Sequence, residues 1–121
     1  MLALAALMLM PIPALAAYEN LEFVDANGST GYYADRKSAY FPTDDMVEAI
    51  IAVKKAGQNR MFTYRMQFNR LEHTYLILSS QIIKYDTQEV LETHNEAQMP
   101  QTYRLQSPMN EIVDYLFAVK R

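Results

Sequence analysis

Between Ala49 and Leu71 the chain carries Lys54, Lys55, Arg60, Arg65 and Arg70 and no acidic side chain. A run of cations without counter-charges can hold an anion, such as a sulfated glycan or an acidic stretch of another protein. Ala56-Gly57-Gln58-Asn59 reads as a turn. It would gather Lys54, Lys55 and Arg60 at one end of a hairpin, with Arg65 further along the second arm. Lys54, Lys55, Arg60 and Arg65 are therefore the expected ligand-binding residues. The same pattern also suits a solvated edge whose charges discourage sheet-to-sheet association.

Two other groupings could carry chemistry. Glu89, Glu92, His94 and Glu96, with Asp86 nearby, offer oxygen ligands and one imidazole to a divalent cation. Their spacing matches no known metal loop, and exposed loop charge explains them equally; no metal or other cofactor is expected. His73, at the start of a strand, reads as structural. Asp35 and Ser38 could be the polar pair of a site. More simply, they form a turn in which side-chain oxygens take up free backbone N–H groups. No nucleophile elbow, P-loop, HExxH or Gly-rich dinucleotide turn occurs. Two histidines and no cysteine leave few bases and nucleophiles. The expectation is a protein that binds, not an enzyme.

The 121 residues allow one domain. Leu2 to Met10 is apolar, Pro11 and Pro13 break any helix, and Ala14-Leu15-Ala16 supplies a small-x-small exit. Residues 1–16 thus read as a signal peptide and 17–121 as a single mature domain. A buried N-terminal helix is the alternative. No basic residue precedes Leu2, which suggests a start codon assigned too far downstream. The apolar run is shorter than the roughly twenty residues a membrane span needs, so the mature chain should not span a membrane. A leader of this kind implies export. The net charge of −3 belongs wholly to the mature domain and gives no footprint for nucleic acid. The absence of cysteine excludes disulfides and thiolate chemistry.

Several strands must position these groups. Tyr18 to Asp25 reads as a first strand, Asn27-Gly28 as a turn, and Gly31 to Ala34 as a short second strand. Asp35 to Asp45 looks like a connecting loop. Val47, Ala49, Ile51 and Val53 recur at period two within a Met46–Lys55 strand. In Arg60 to Arg70, Phe62, Tyr64, Met66 and Phe68 should face a core, with Met61, Thr63, Arg65, Gln67 and Asn69 in water. Thr74 to Asp86 is apolar on both faces, with Tyr75, Ile77 and Ile83 opposed to Leu76, Leu78 and Ile82. A bulge is expected at Ser79-Ser80-Gln81. Glu89 to Pro100 reads as loop and Thr102 to Leu105 as a short last strand. Ser107-Pro108 then caps a helix whose stripe is Met109, Ile112, Val113, Leu116 and Val119. The fold class is α+β: an antiparallel meander of about five to six strands with a C-terminal α-helix packed on one face.

Tyr32-Tyr33-Ala34-Asp35 followed by Ser38 forms an aromatic–x–Asp–x–x–Ser pattern. With the Val47–Val53 strand, Thr74-Tyr75, Tyr85-Asp86, and Ser107-Pro108 ahead of Ile112 and Leu116, it resembles the surface-adhesin protein E-like family of small exported bacterial envelope proteins. The resemblance covers residues 18 to 118; the family's first-strand tryptophan and the named adhesin's cysteines are absent. It implies an antiparallel sheet with the helix packed across it, and an adhesin-like module, in the periplasm or on the surface of a double-membraned bacterium, contacting an extracellular-matrix protein or acidic glycan. A soluble periplasmic accessory or inhibitor of envelope enzymes is the second expectation.

Overall fold

Alternating apolar and polar residues drive six successive strands, each hydrogen-bonded antiparallel to the one before it. They appear in a computed structural model that describes residues 18–118. The expected leader and Val119 lie outside the described residues. The strands are β1 (Glu22–Asn27), β2 (Thr30–Thr43), β3 (Met46–Lys55), β4 (Arg60–Asn69), β5 (Thr74–Lys84) and β6 (Val90–His94), in spatial order 1 to 6. A two-residue β7 (Gln101–Thr102) pairs with the start of β5, and α1 (Pro108–Ala118) closes the described chain.

Helix α1 begins where its cap places it. The Ser107 hydroxyl accepts from the Asn110 N–H at 3.3 Å and donates to the Arg104 carbonyl at 2.6 Å. Ile112, Val113, Leu116 and Phe117 bury the apolar stripe against Ala34, Val47, Ala49, Ile51, Met66 and Phe68 of the sheet. Each fully buried side chain of this kind contributes roughly 1.5–3 kcal/mol, so burial rather than helix propensity holds α1 down. Polar contacts fix its direction. Arg36 forks onto Glu22 at 2.8 and 3.2 Å, and the Tyr115 hydroxyl donates to the same carboxylate. Arg70 pairs with Asp45 at 3.0 Å and lies 4.2 Å from the Phe117 ring centroid.

Several elements depart from the sequence reading, beginning with the first strand, which runs over Glu22–Asn27 rather than Tyr18 to Asp25. Residues 36–43 are not a loop: β2 continues through them, with an irregular bulge between Asp35 and Tyr40. Side chains replace the missing ladder bonds in the bulge. Asp35 Oδ1 accepts from the Lys37 N–H at 2.9 Å. The Ser38 hydroxyl donates to the Asp35 carbonyl at 2.8 Å and accepts from the Ile50 N–H at 2.9 Å. The polar stretch after Glu89 contains β6, whose exposed side chains suit the edge strand it is. The last strand lies at Gln101–Thr102, and Tyr103 to Leu105 fall outside it. Finally, β4 is not wetted along its whole second face. Met61 and Thr63 are both 2% exposed, because Tyr18 and Leu21 fold across them beside Ala52 and Ile83.

β5 does carry a bulge, but at Leu78 rather than at Ser79-Ser80-Gln81, between the pairs Arg65–Ser79 and Met66–Ile77. One extra residue reverses every following side chain. Ile82 therefore joins Tyr75 and Ile77 on the helix-bearing face, while Ile83 goes to the opposite one, the reverse of the expected assignment.

Candidate anion-binding site

The four cations expected to act together are distributed over both faces of the sheet. Lys54 pairs across the ladder with Gly31 and Met61, on the face away from α1. A Cβ on Gly31 would come within 2.9 Å of the Tyr33 ring, so the missing side chain lets that ring lie over the strand. The Lys54 ammonium rests 4.2 Å from the centroid of Tyr33 and 5.9 Å from that of Tyr85. Burial in this aromatic seat lowers its pKa from the ordinary lysine value. Arg65 lies on the same face and pairs with Glu48 at 3.3 Å. Arg70 is at the far end of β4, held by Asp45.

Lys55 and Arg60 share the helix-bearing face and are direct cross-strand partners. Arg60 is in turn paired with Lys84 on β5. Lys55, Arg60 and Lys84 thus form one row across three neighbouring strands, spanning about 10 Å at about 4.8 Å per strand. None of the three pairs with a carboxylate among the described residues. Arg60 donates to the Asn59 carbonyl at 3.0 Å, and the Lys55 ammonium lies 5.6 Å from the Phe62 ring centroid. Like charges placed directly opposite destabilise a sheet, and an anion bridging the row relieves that repulsion.

Asn59 fixes the row from below. Its backbone is left-handed (φ 54°, ψ 43°), a conformation asparagine tolerates better than most residues. Its N–H donates to the Ala56 carbonyl at 3.0 Å, closing the β3–β4 turn. Its carbonyl accepts from the Tyr85 N–H at 3.2 Å, and its Oδ1 accepts from the Asp86 N–H at 3.0 Å. One residue therefore ties the turn carrying Lys55 and Arg60 to the turn following Lys84.

Lys84 was not legible as a site residue, since it stands outside the acid-free stretch. Only the β5 bulge aligns it with Arg60. The other constellations make contacts of their own. Asp35 is 5% exposed and, with Ser38, completes the β2 bulge. Glu92 and His94 meet at 3.0 Å on the exposed edge strand, and no group of three or more potential metal ligands gathers among the described residues. His73 has a left-handed backbone (φ 55°) and packs edge-on against Tyr103, 5.7 Å between centroids. No helix among the described residues is long and apolar enough to cross a membrane. Compared with known proteins, the chain matches no family model, no curated protein and no solved structure.

Proposed function

We propose that this domain is an exported binding module of the bacterial envelope, adhesin-like in working by contact rather than catalysis. Its contact is the row Lys55–Arg60–Lys84. The observation that carries the reading is the register of that row: three cations, side by side on one face, unpaired with any described carboxylate. The group such a row selects is a sulfate, carboxylate or phosphate. The apolar leader ahead of Ala17 supports export, as does the resemblance to envelope adhesins.

The test is retention on immobilised dextran sulfate over a salt gradient. Lys55→Glu combined with Lys84→Glu should abolish retention. Lys54→Glu combined with Arg65→Glu changes the net charge equally and should leave most of it. Equal loss in both pairs would reduce the effect to overall charge and remove the row as the contact.

A further inference from the structure

A cavity of about 140 Å³ opens between α1 and the sheet, walled by Met66 and Ile77 below and by Met109 and Ile112 of the helix above. Val53 belongs to the same lining. Lys55 stands two residues further along that face of β3, about 7 Å away at about 3.4 Å per residue. Between the cavity and the row, half-buried Val53, Phe62 and Ile82 make a cross-strand apolar floor. The phenols of Tyr32, Tyr64 and Tyr75 belong to the lining as well. Burial, and then the neighbouring Tyr75 and Tyr32, push the Tyr64 hydroxyl above the ordinary phenol value.

We propose that the ligand of this face is a single-chain anionic amphiphile, its alkyl chain entering the cavity over Val53 and its anionic head resting on Lys55, Arg60 and Lys84. This rests on the reading of the row as an anion site and adds the chemical class of what carries the anion. Charge complementarity sets the orientation: none of the residues lining the cavity carries a charge, whereas the row carries three cations, so the negative end lies at the row. A polymer carrying only anionic groups would use the row and leave the cavity empty.

Submicellar decanoate, with acetate, decanol and dextran sulfate as comparison probes, separates the cases by titration calorimetry. Decanoate should bind one per domain, at least tenfold more tightly than acetate or decanol. Ile77→Trp and, from the opposite wall, Met109→Trp fill the cavity. Whichever of them keeps the wild-type circular dichroism should lose decanoate binding at least tenfold while retaining dextran sulfate. Lys55→Glu/Arg60→Glu/Lys84→Glu should lose both. Dextran sulfate binding without decanoate binding would overturn the amphiphile and leave the row as a polyanion site, such as for an acidic glycan. Decanoate binding unaffected by the triple reversal, or by filling the cavity, would equally overturn it. Binding of neither probe would remove the anion site itself.

Discussion

Lys54 and Lys55 are neighbours in the chain and lie on opposite faces of the sheet. The Lys54 ammonium is 4.2 Å from the Tyr33 ring centroid, and that of Lys55 is 5.6 Å from the Phe62 centroid. The period-two alternation of a strand enforces this separation. Two adjacent positive charges therefore have unrelated jobs, one seated between aromatic rings and the other in a row of cations.

Single charge reversals at these two positions should differ accordingly. Lys55→Glu should weaken dextran sulfate binding about tenfold at low salt, the scale of removing one close charge pair and adding a repulsion at the surface. Lys54→Glu should change it by less than about twofold, and should instead lower stability through the lost aromatic seat, by about 0.5–1 kcal/mol. Affinity and urea unfolding measured on the same two proteins would check both halves.

Asn59 should matter to folding as much as to the row. Asn59→Ala keeps neither the left-handed preference nor the Oδ1 acceptor for the Asp86 N–H, and should cost about 1–3 kcal/mol. Asn59→Gly restores the backbone freedom alone and should recover part of that loss. Equal stability for all three proteins would show that the two turns are held by something else.

The Ser38 hydroxyl occupies a place that a backbone carbonyl fills in a regular ladder, accepting from the Ile50 N–H at 2.9 Å. Ser38→Ala leaves that half-buried donor without its partner and should destabilise by about 1–3 kcal/mol, with an unchanged denaturant slope. Ser29→Ala, at the exposed β1–β2 turn, serves as the comparison and should be near neutral.

Tyr103 predicts the opposite sign. The residue is 8% exposed and its buried hydroxyl has no hydrogen-bond partner among the described residues. Burial, and then Asp114, push its pKa above the ordinary phenol value. Tyr103→Phe removes an unsatisfied polar atom and should leave the protein as stable or slightly more so at neutral pH.

Alkaline unfolding reads out the buried phenols. Tyr64 and Tyr103 both have folded pKa values raised above 10.0. Near and above pH 10 the unfolded chain loses these protons while the folded one keeps them. Their stabilisation is therefore complete below that pH and is lost as pH rises through the folded values. Tyr64→Phe should flatten this decline, and a stability profile identical to wild type between pH 9 and about 11.5 would contradict the raised value.

Much of the architecture was legible because burial on one face imprints period two. Val47, Ala49, Ile51 and Val53 placed β3 at the bounds it adopts, and Ser107-Pro108 placed the start of α1. The second half of β2 was hidden because Arg36, Lys37 and Pro42 read as loop. Asp35 and Ser38 supply there, from side chains, bonds that the bulge takes from the backbone ladder. The site was half legible. Lys55 and Arg60 face each other, as a hairpin requires, but alternation sends Lys54 and Arg65 to the other face. Lys84 enters the row only through the bulge at Leu78, whose one extra residue exchanges the faces of Ile82 and Ile83. Such an offset reverses a whole strand segment while barely altering composition.

Methyl NMR during titration with a short dextran sulfate tests the central claim most directly, because the two faces carry separate reporters. Val53 and Ile82 adjoin the cation row, whereas Ala52, Met61 and Ile83 lie on the face that bears Lys54. Binding at the row should shift Val53 and Ile82 in a salt-sensitive, saturable manner and leave Ala52, Met61 and Ile83 in place. Shifts confined to Ala52, Met61 and Ile83, with Val53 and Ile82 unmoved, would put the contact on the opposite face and contradict it.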